Sequence, residues 1–241
     1  MAEIPSPTEV MRKRWPNKGP ALQPEGYKEM RVVETTAALL VGAAAAITPS
    51  IAFAPVASAD CPDIEVVFAR GTDEGAGLGR IGGAFVDSLR GKVGGRSVGA
   101  YAVNYPASYD FLAAASGAND ASAHIQYMMG ACPNTKLVLG GYSQGAAVMD
   151  VIAAVPIPAI GFDNPLPPNA PDFVPAIAVF GNPSAKLGIP LTMSPVWGGR
   201  AIDLCNPDDP ICQTDGESVP AHRAYNGGPV DTAADFVAGR V

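Results

Sequence analysis

Ser143 stands at the centre of a Gly-x-Ser-x-Gly motif, residues 141–145. An apolar run, 136–140, precedes the motif, and residues 146–152 follow it with the apolar spacing of a buried helix. The motif is therefore predicted to lie at a strand-to-helix turn, where its glycines let the two backbones approach and the strained turn exposes the serine hydroxyl. In that context a plain glycine-rich turn is the weaker interpretation, and Ser143 is the candidate nucleophile.

A serine hydroxyl needs a base to take its proton before it can attack an acyl group. The chain offers only two histidines for that role. His124 precedes the motif on a predicted helix and is interpreted as a structural residue. His222 follows the last predicted strand, which fits the order nucleophile, acid, base along α/β-hydrolase chains. His222 is therefore the predicted base.

The acid that orients this base must lie between the motif and His222 if the same order holds. The carboxylates in that interval are Asp203, Asp208, Asp209, Asp215 and Glu217. Two of them, Asp208 and Asp209, lie between Cys205 and Cys212, where a disulfide would hold a carboxylate in the rigid geometry that an orienting acid needs. Their position between the two cysteines favours Asp208 and Asp209 over the other carboxylates without deciding between them.

All four cysteines lie after residue 59, downstream of an export-like segment, which favours two disulfides formed in an oxidising compartment. Three pairings are open from the sequence. The short Cys205/Cys212 spacing favours Cys205–Cys212 together with Cys61–Cys132. A zinc site is the weaker interpretation because the chain has no CxxC pair, so we expect no metal.

The first 59 residues have the pattern of an export signal. Residues 1–29 are polar without apolar periodicity, 35–47 form an alanine- and leucine-rich run, and Ala57-Ser58-Ala59 offers a cleavage site. The apolar run is shorter than the ~20 residues of a membrane span, so a retained anchor is the weaker interpretation. We therefore expect an extension plus signal peptide over 1–59, cleaved after Ala59, and a secreted domain over 60–241. Translation from Met1, Met11 or Met30 remains open.

Composition supports one compact domain and argues against nucleic acid as a partner. The 241 residues are 48% hydrophobic and carry a formal net charge of −7. Without the six basic and five acidic residues of 1–59, the remainder has ten basic and eighteen acidic residues, a net charge of −8. Because phosphate binding needs clustered Lys and Arg, an acidic domain without such a cluster is a poor candidate for it. We expect a monomer without an organic cofactor.

Strand and helix patterns alternate along 60–241. Strands are predicted over 64–69, 98–103, 136–140, 176–180 and 201–204, and helices over 79–90, 120–129, 146–152 and 230–240. This alternation predicts an α/β fold, a three-layer sandwich with a central parallel sheet of about five strands and helices on both faces. Ligands bind at the carboxyl ends of such strands, where the serine motif lies. Two proline-rich loops, 156–175 and 182–199, have no assigned role.

Four motifs occur in order along the domain. They are Phe68-Ala69-Arg70-Gly71-Thr72, Gly141-Tyr142-Ser143-Gln144-Gly145-Ala146, Asp208-Asp209-Pro210-Ile211-Cys212 and Ala221-His222. Together they resemble the cutinase family, and most closely its secreted bacterial cutinase-like esterases, over essentially all of 60–241. The resemblance implies a secreted serine esterase of the α/β-hydrolase type.

The resemblance also assigns residues. The family's catalytic aspartate stands four residues after the first cysteine of the C-terminal disulfide, which maps to Asp209. Its nucleophile maps to Ser143 and its base to His222. Its oxyanion hole maps to the backbone N–H of Gln144 and to the N–H and hydroxyl of Thr72. Its disulfides map to Cys61–Cys132 and Cys205–Cys212.

The loops that would flank the crevice suggest a substrate class rather than a single substrate. Cutinases flank the crevice with apolar loops, whereas here the loop before the histidine, 213–220, is polar and acidic. The other rim, 109–113, offers aromatic and aliphatic groups for transient contact with lipid surfaces, and equally for core contacts. We therefore expect short or medium acyl esters, with lipids and cutin-like polyesters as further candidates. An acyltransferase or phospholipase with the same triad, and a non-catalytic lipid-binding protein, are the alternatives.

Overall fold

The computed structural model describes residues 61–110, 112–153 and 160–241. The predicted extension, signal peptide and cleavage site after Ala59 lie outside the described residues, and so does the first part of the loop 156–175. The domain boundaries thus stay a prediction.

Five parallel strands form one sheet. They are β1 (Ile64–Ala69), β2 (Val98–Ala102), β3 (Lys136–Tyr142), β4 (Ala176–Phe180) and β5 (Ala201–Leu204), in the order β2-β1-β3-β4-β5. β1, β3 and β4 are almost entirely buried, as expected of strands covered on both faces. The predicted parallel sheet is therefore confirmed.

Helices cover both faces of this sheet. The helices are α1 (Gly79–Arg90), α2 (Ala113–Ala131), α3 (Gln144–Ala153), α4 (Pro183–Lys186), α5 (Val219–Arg223) and α6 (Gly228–Ala238). α1 and α6 pack on one face, against the β1 side chains of Ile64, Val66 and Phe68. α2 and α3 pack on the other face, against Val67 and Ala69. The three-layer α/β sandwich is confirmed.

The second helix is longer than predicted. It begins at Ala113 rather than near residue 120 and ends at Ala131. Its first turns are made of small residues, which give no apolar periodicity, although alanine is the strongest helix former. Ala114 and Ala118 are nevertheless buried in the core, where their small size allows close packing.

The loop 182–199 contains local structure of its own. It includes α4 and two short 3-10 turns, Leu191–Met193 and Gly198–Arg200. Asn182 begins α4 by accepting a hydrogen bond from Ser184 N with its side chain (3.0 Å). Across the described part of the chain, no helix is both long and apolar enough to span a membrane.

The fold brings three chain segments to one edge of the sheet. β1 leads into the glycine-rich loop 70–77, β3 into the serine motif, and β5 into the Cys205–Cys212 segment. Because all five strands are parallel, these carboxyl ends lie on the same edge, where α/β sheets bind ligands.

Candidate active site

Ser143 occupies the sharp turn between β3 and α3. Its backbone has a φ of 56°, a left-handed conformation that is uncommon for serine. The turn tolerates this strain because Ser143 N donates to Phe180 O (2.9 Å) and because Gly145 lies against β1. A Cβ on Gly145 would come within 1.9 Å of Ala69 O. The motif therefore has the geometry of a nucleophile elbow.

His222 presents Nε2 to this serine. The distance from Nε2 to Ser143 Oγ is 3.0 Å. The short helix α5 carries the histidine, and its N-cap Ser218 accepts a hydrogen bond from Ala221 N. Tyr142 stacks on the imidazole with ring centroids 5.1 Å apart, and its hydroxyl donates to His222 O (2.8 Å). These contacts hold the ring toward Ser143.

The backbone after β4 lies directly against the imidazole. Gly181 has a φ of 58°, and a Cβ at this position would come within 2.8 Å of His222 Cε1. Only glycine fits here without displacing the ring.

Asp209 lies on the other side of the imidazole. Its Oδ2 is 2.8 Å from His222 Nδ1, and its side chain is fully buried. Asp208 is exposed, has a φ of 68° and accepts a hydrogen bond from Glu217 N (2.9 Å). The structure thus separates two adjacent carboxylates that spacing alone left equal.

Both favoured disulfides are present. Cys61 is bonded to Cys132, and Cys205 to Cys212. The second bond closes the segment that carries Asp209, so the acid lies in a short, cross-linked loop.

Thr72 and Gln144 lie next to each other at the predicted oxyanion hole. Thr72 Oγ1 is 3.5 Å from Gln144 Oε1, and Gln144 Nε2 donates to Ser108 O (2.8 Å). Gln144 is the first residue of α3, so its backbone N–H belongs to the helix end that carries partial positive charge.

Two residues that the sequence reasoning missed hold the loop that carries Thr72. Glu74 accepts hydrogen bonds from Gly71 N (2.8 Å) and Arg80 N (2.9 Å). Arg70 is buried and donates to Glu74 O (2.9 Å) and Tyr105 O (2.7 Å). Polar residues flanking Thr72 were the only signal in the sequence, and their partners depend on the fold.

A third missed residue contacts the acid itself. Tyr225 is fully buried, and its hydroxyl donates to Asp209 Oδ2 at 2.6 Å. Burial, and next the bonded carboxylate, raise the pKa of Tyr225 well above its usual range. Burial likewise raises the pKa of Tyr142 to about 12. Both phenols therefore remain neutral hydrogen-bond donors at the pH where an imidazole titrates.

His124 lies elsewhere in the fold. It is on α2, where its ring stacks on Tyr101 of β2 with centroids 3.5 Å apart, and its Nε2 is 2.5 Å from Glu65 Oε1 of β1. These contacts fit the structural role predicted for it. Among the described residues, no group of three or more His, Cys, Asp or Glu side chains is arranged to hold a metal ion.

The rim beside Ser108 is apolar and exposed. Tyr109 and Leu112 are each 73% exposed, so they are not core contacts, whereas Phe111 lies outside the described residues. The acidic loop 213–220 before His222 is mostly exposed and carries Val219 as a half-exposed apolar residue.

Known proteins resemble this chain over its whole domain. The cutinase family model matches residues 60–241. The chain is 55% identical over 212 residues to Phospholipase Culp4 of Mycobacterium tuberculosis, covering 88% of this chain and 92% of that protein. It is 48% identical over 216 residues to Carboxylesterase Culp1 of the same species, covering 84% and 94%.

A structure comparison also finds a cutinase. A Trichoderma reesei cutinase in complex with a phosphonate inhibitor matches with a TM-score of 0.59 and 33% identity, over 74% of this chain and 76% of that one. From the family match and the close relatives, the chain belongs to the cutinase family.

Proposed function

We propose that this carboxylic ester hydrolase of the cutinase family acts through Ser143, His222 and Asp209, with an acyl-enzyme intermediate. The observation that carries the proposal is one continuous chain of contacts, with Ser143 Oγ 3.0 Å from His222 Nε2 and His222 Nδ1 2.8 Å from Asp209.

In the first half of the reaction, Ser143 Oγ forms a bond to the ester carbonyl carbon while His222 Nε2 takes the hydroxyl proton. Asp209 keeps Nδ1 protonated, so that Nε2 offers its lone pair, and it stabilises the imidazolium. When the tetrahedral intermediate collapses, the carbon–oxygen bond to the alcohol breaks and His222 returns its proton to the leaving oxygen. The product is the acyl ester of Ser143.

In the second half, His222 removes a proton from water, whose oxygen attacks the acyl carbon. The bond to Ser143 then breaks, Oγ recovers its proton from His222, and the carboxylic acid leaves. Both tetrahedral intermediates carry an oxyanion, which the N–H of Gln144 and the N–H and hydroxyl of Thr72 would stabilise. Losing one such donor typically costs ~10²–10³-fold in kcat.

Short or medium acyl esters are the proposed substrates, because the loop 213–220 beside His222 is polar. Phospholipids are the second candidate. The relative named Phospholipase Culp4 supports them, and so does the exposed pair Tyr109 and Leu112 next to Ser108, which could contact a lipid surface transiently. We further propose that the domain 60–241 is secreted and acts as a monomer. The two disulfides support secretion because they are stable in an oxidising compartment.

A fluorophosphonate probe tests the nucleophile. We expect stoichiometric labelling at Ser143, and loss of both labelling and p-nitrophenyl butyrate hydrolysis, by at least ~10³-fold, in Ser143→Ala. Ser88→Ala is the matched control and keeps both, because the Ser88 hydroxyl donates to Asp231 of α6 (2.6 Å) rather than to any residue of the proposed triad. Undiminished turnover by a folded Ser143→Ala protein would overturn the proposal, and absence of labelling would favour a non-catalytic binding protein.

The same assay ranks the substrates. p-Nitrophenyl esters of increasing chain length and phosphatidylcholine vesicles are compared, with an alcohol present to detect transfer. Fastest release from the butyrate ester supports the short-chain proposal. Preferential formation of lysophospholipid would favour the phospholipase alternative, and formation of a new ester would favour an acyltransferase.

A further inference from the structure

Tyr225 lies three residues after His222, in the turn between α5 and α6. Its ring is fully buried and meets the His222 ring edge to face, with centroids 6.3 Å apart and an interplanar angle of 85°. It contacts Phe180 in a similar way, at 6.0 Å and 73°. These ring contacts pack Tyr225 against the imidazole of the proposed base.

The neighbours of the Tyr225 hydroxyl decide where its one proton lies. Asn206 N donates to this oxygen (3.0 Å), so Asn206 cannot be its acceptor. Cys212 Sγ is 3.4 Å away and belongs to a disulfide, so it carries no proton and is a weak acceptor. The remaining partner is Asp209 Oδ2 at 2.6 Å. The phenol therefore donates to the carboxylate.

Asp209 then receives hydrogen bonds on both oxygens. Ile211 N donates to Oδ1 (2.8 Å), whereas Oδ2 is shared by Tyr225 Oη and His222 Nδ1. Three hydrogen-bond donors therefore surround this carboxylate. It is also held in position, because the backbone and the phenol fix it independently of the histidine.

We propose that Tyr225 is a positioning residue that disperses the charge of Asp209 and thereby lowers the pH at which His222 becomes available as the base. The proposal rests on the triad of the proposed function. The shared oxygen Oδ2 is its physical basis: the more of its charge the phenol neutralises, the less strongly it stabilises the imidazolium.

The direction of the effect follows from this competition. Without the phenol, Asp209 attracts the imidazolium more strongly, so His222 stays protonated, and inactive as a base, up to a higher pH. The acidic limb of the kcat/KM profile reports this protonation in the free enzyme. The raised pKa of the buried Tyr225 keeps the phenol neutral, and hence a donor, throughout that range.

Other charges surround the triad, and they remain unchanged in the test. Arg80 of α1, Glu74 of the glycine-rich loop 70–77 and Arg223 of α5 act electrostatically on the neighbouring Tyr142, as Asp209 itself does. Lys186 of α4 donates to Pro210 O (2.8 Å), and Asp208 precedes the acid in the chain. Since all of these groups are retained, a shift between variants reports the Tyr225 hydroxyl.

Tyr225→Phe removes the hydroxyl and keeps the packed ring. We expect the acidic limb of kcat/KM for p-nitrophenyl butyrate to move up by about half a pH unit. Well below that limb, turnover then falls about threefold beyond any change at the plateau. Titration with the fluorophosphonate probe gives the concentration of competent sites and thus corrects for misfolded protein.

Replacing Tyr225 by 3-fluorotyrosine gives a variant with nearly the same side-chain shape, for which we expect the acidic limb to shift in the opposite direction. The fluorinated phenol is a stronger donor, so the limb moves down in pH. Opposite shifts in the two variants support the proposal; an unmoved limb in both, or shifts of the same sign, would overturn it. A purely structural role would lower activity or stability at every pH without moving the limb. Because Ser143→Ala is assayed in parallel, failure of the triad itself is recognised separately.

Discussion

The structure contains two histidine–carboxylate pairs that look alike. His222 contacts Asp209 at 2.8 Å, and His124 contacts Glu65 at 2.5 Å. The two imidazoles are similarly buried, with side-chain exposures of 13% and 16%, and each stacks on a tyrosine. Neither the distance nor the burial of a pair therefore marks it as a catalytic one.

The difference lies in which nitrogen meets the carboxylate. His222 uses Nδ1, the nitrogen next to its own backbone, and so extends Nε2 to Ser143. His124 uses Nε2, the outer nitrogen, which leaves only the inner one beside its own helix. A base must reach a proton on another group, and the inner nitrogen is poorly placed for that. The orientation of the imidazole, rather than the presence of a histidine–carboxylate pair, therefore distinguishes the proposed catalytic histidine from the proposed structural one.

The largest expected difference between the two histidines is in esterase activity. His222→Ala removes the proposed base and should lower kcat/KM for p-nitrophenyl butyrate by at least ~10³-fold. His124→Ala should leave it within about threefold once it is corrected for the folded fraction, because surface and structural sites do not touch the reacting atoms. Initial rates and probe labelling measure both. Comparable losses in the two variants would contradict the distinction drawn from the ring nitrogens.

For the proposed nucleophile and base, the sequence offers few competing residues. Ser143 is predicted from its motif, and His222 from the scarcity of histidines together with chain order, and the structure brings the two side chains within 3.0 Å of each other. The sequence was insufficient for choosing between adjacent residues whose orientation depends on how the backbone turns. Asp208 and Asp209 are adjacent, and only the left-handed backbone of Asp208 directs one carboxylate outward while the next is buried.

Contacts between distant segments were equally inaccessible. Glu65 meets His124 because the sheet and α2 bring β1 beside that helix, across 59 positions in the sequence. Tyr225 meets Asp209 because a short helix and turn return the chain to the Cys205–Cys212 loop. The strands, by contrast, follow from runs of apolar residues and needed no such information.

A third largely buried carboxylate, Asp150, has no histidine partner. Asp150 accepts hydrogen bonds from Asn182 Nδ2 (3.2 Å) and from the Ser184 hydroxyl, and both donors are neutral. Burial raises the pKa of Asp150 to about 6, the two hydrogen bonds oppose that rise, and the nearby Asp203 adds to it. A neutral partner thus leaves this carboxylate costly to ionise.

Asp150→Asn should remove a pH dependence of stability. The folded state binds the proton more tightly than the unfolded chain, so this group's stabilising contribution is complete below the unfolded pKa of 3.8 and is lost as pH rises through about 6. The free energy of unfolding of the wild type, relative to the variant, should fall by up to roughly 3 kcal/mol across that window. Urea unfolding at several pH values measures it.

Asp172→Asn, at an exposed position, is the control and should leave the pH dependence of the wild type unchanged. If the free energies of unfolding of the wild type and Asp150→Asn change in parallel between pH 4 and 6.5, burial does not raise the pKa of Asp150. Enzyme activity is not the readout here, because Asp150 contacts α4 rather than the reacting groups.

The smallest expected effect is on the free energy of unfolding and involves the Glu65–His124 pair. Glu65→Ala, His124→Ala and the double variant form a double-mutant cycle, and we expect a coupling free energy of about 1–2 kcal/mol, because the pair is largely buried and links α2 to β1. Urea unfolding at pH 7 gives the three differences in the free energy of unfolding. After correction for the folded fraction, kcat/KM of all three proteins should stay within about threefold of the wild-type value. A coupling near zero would mean that the stack on Tyr101 positions His124 by itself. A loss of activity in these variants would mean that the Glu65–His124 pair influences the proposed active site.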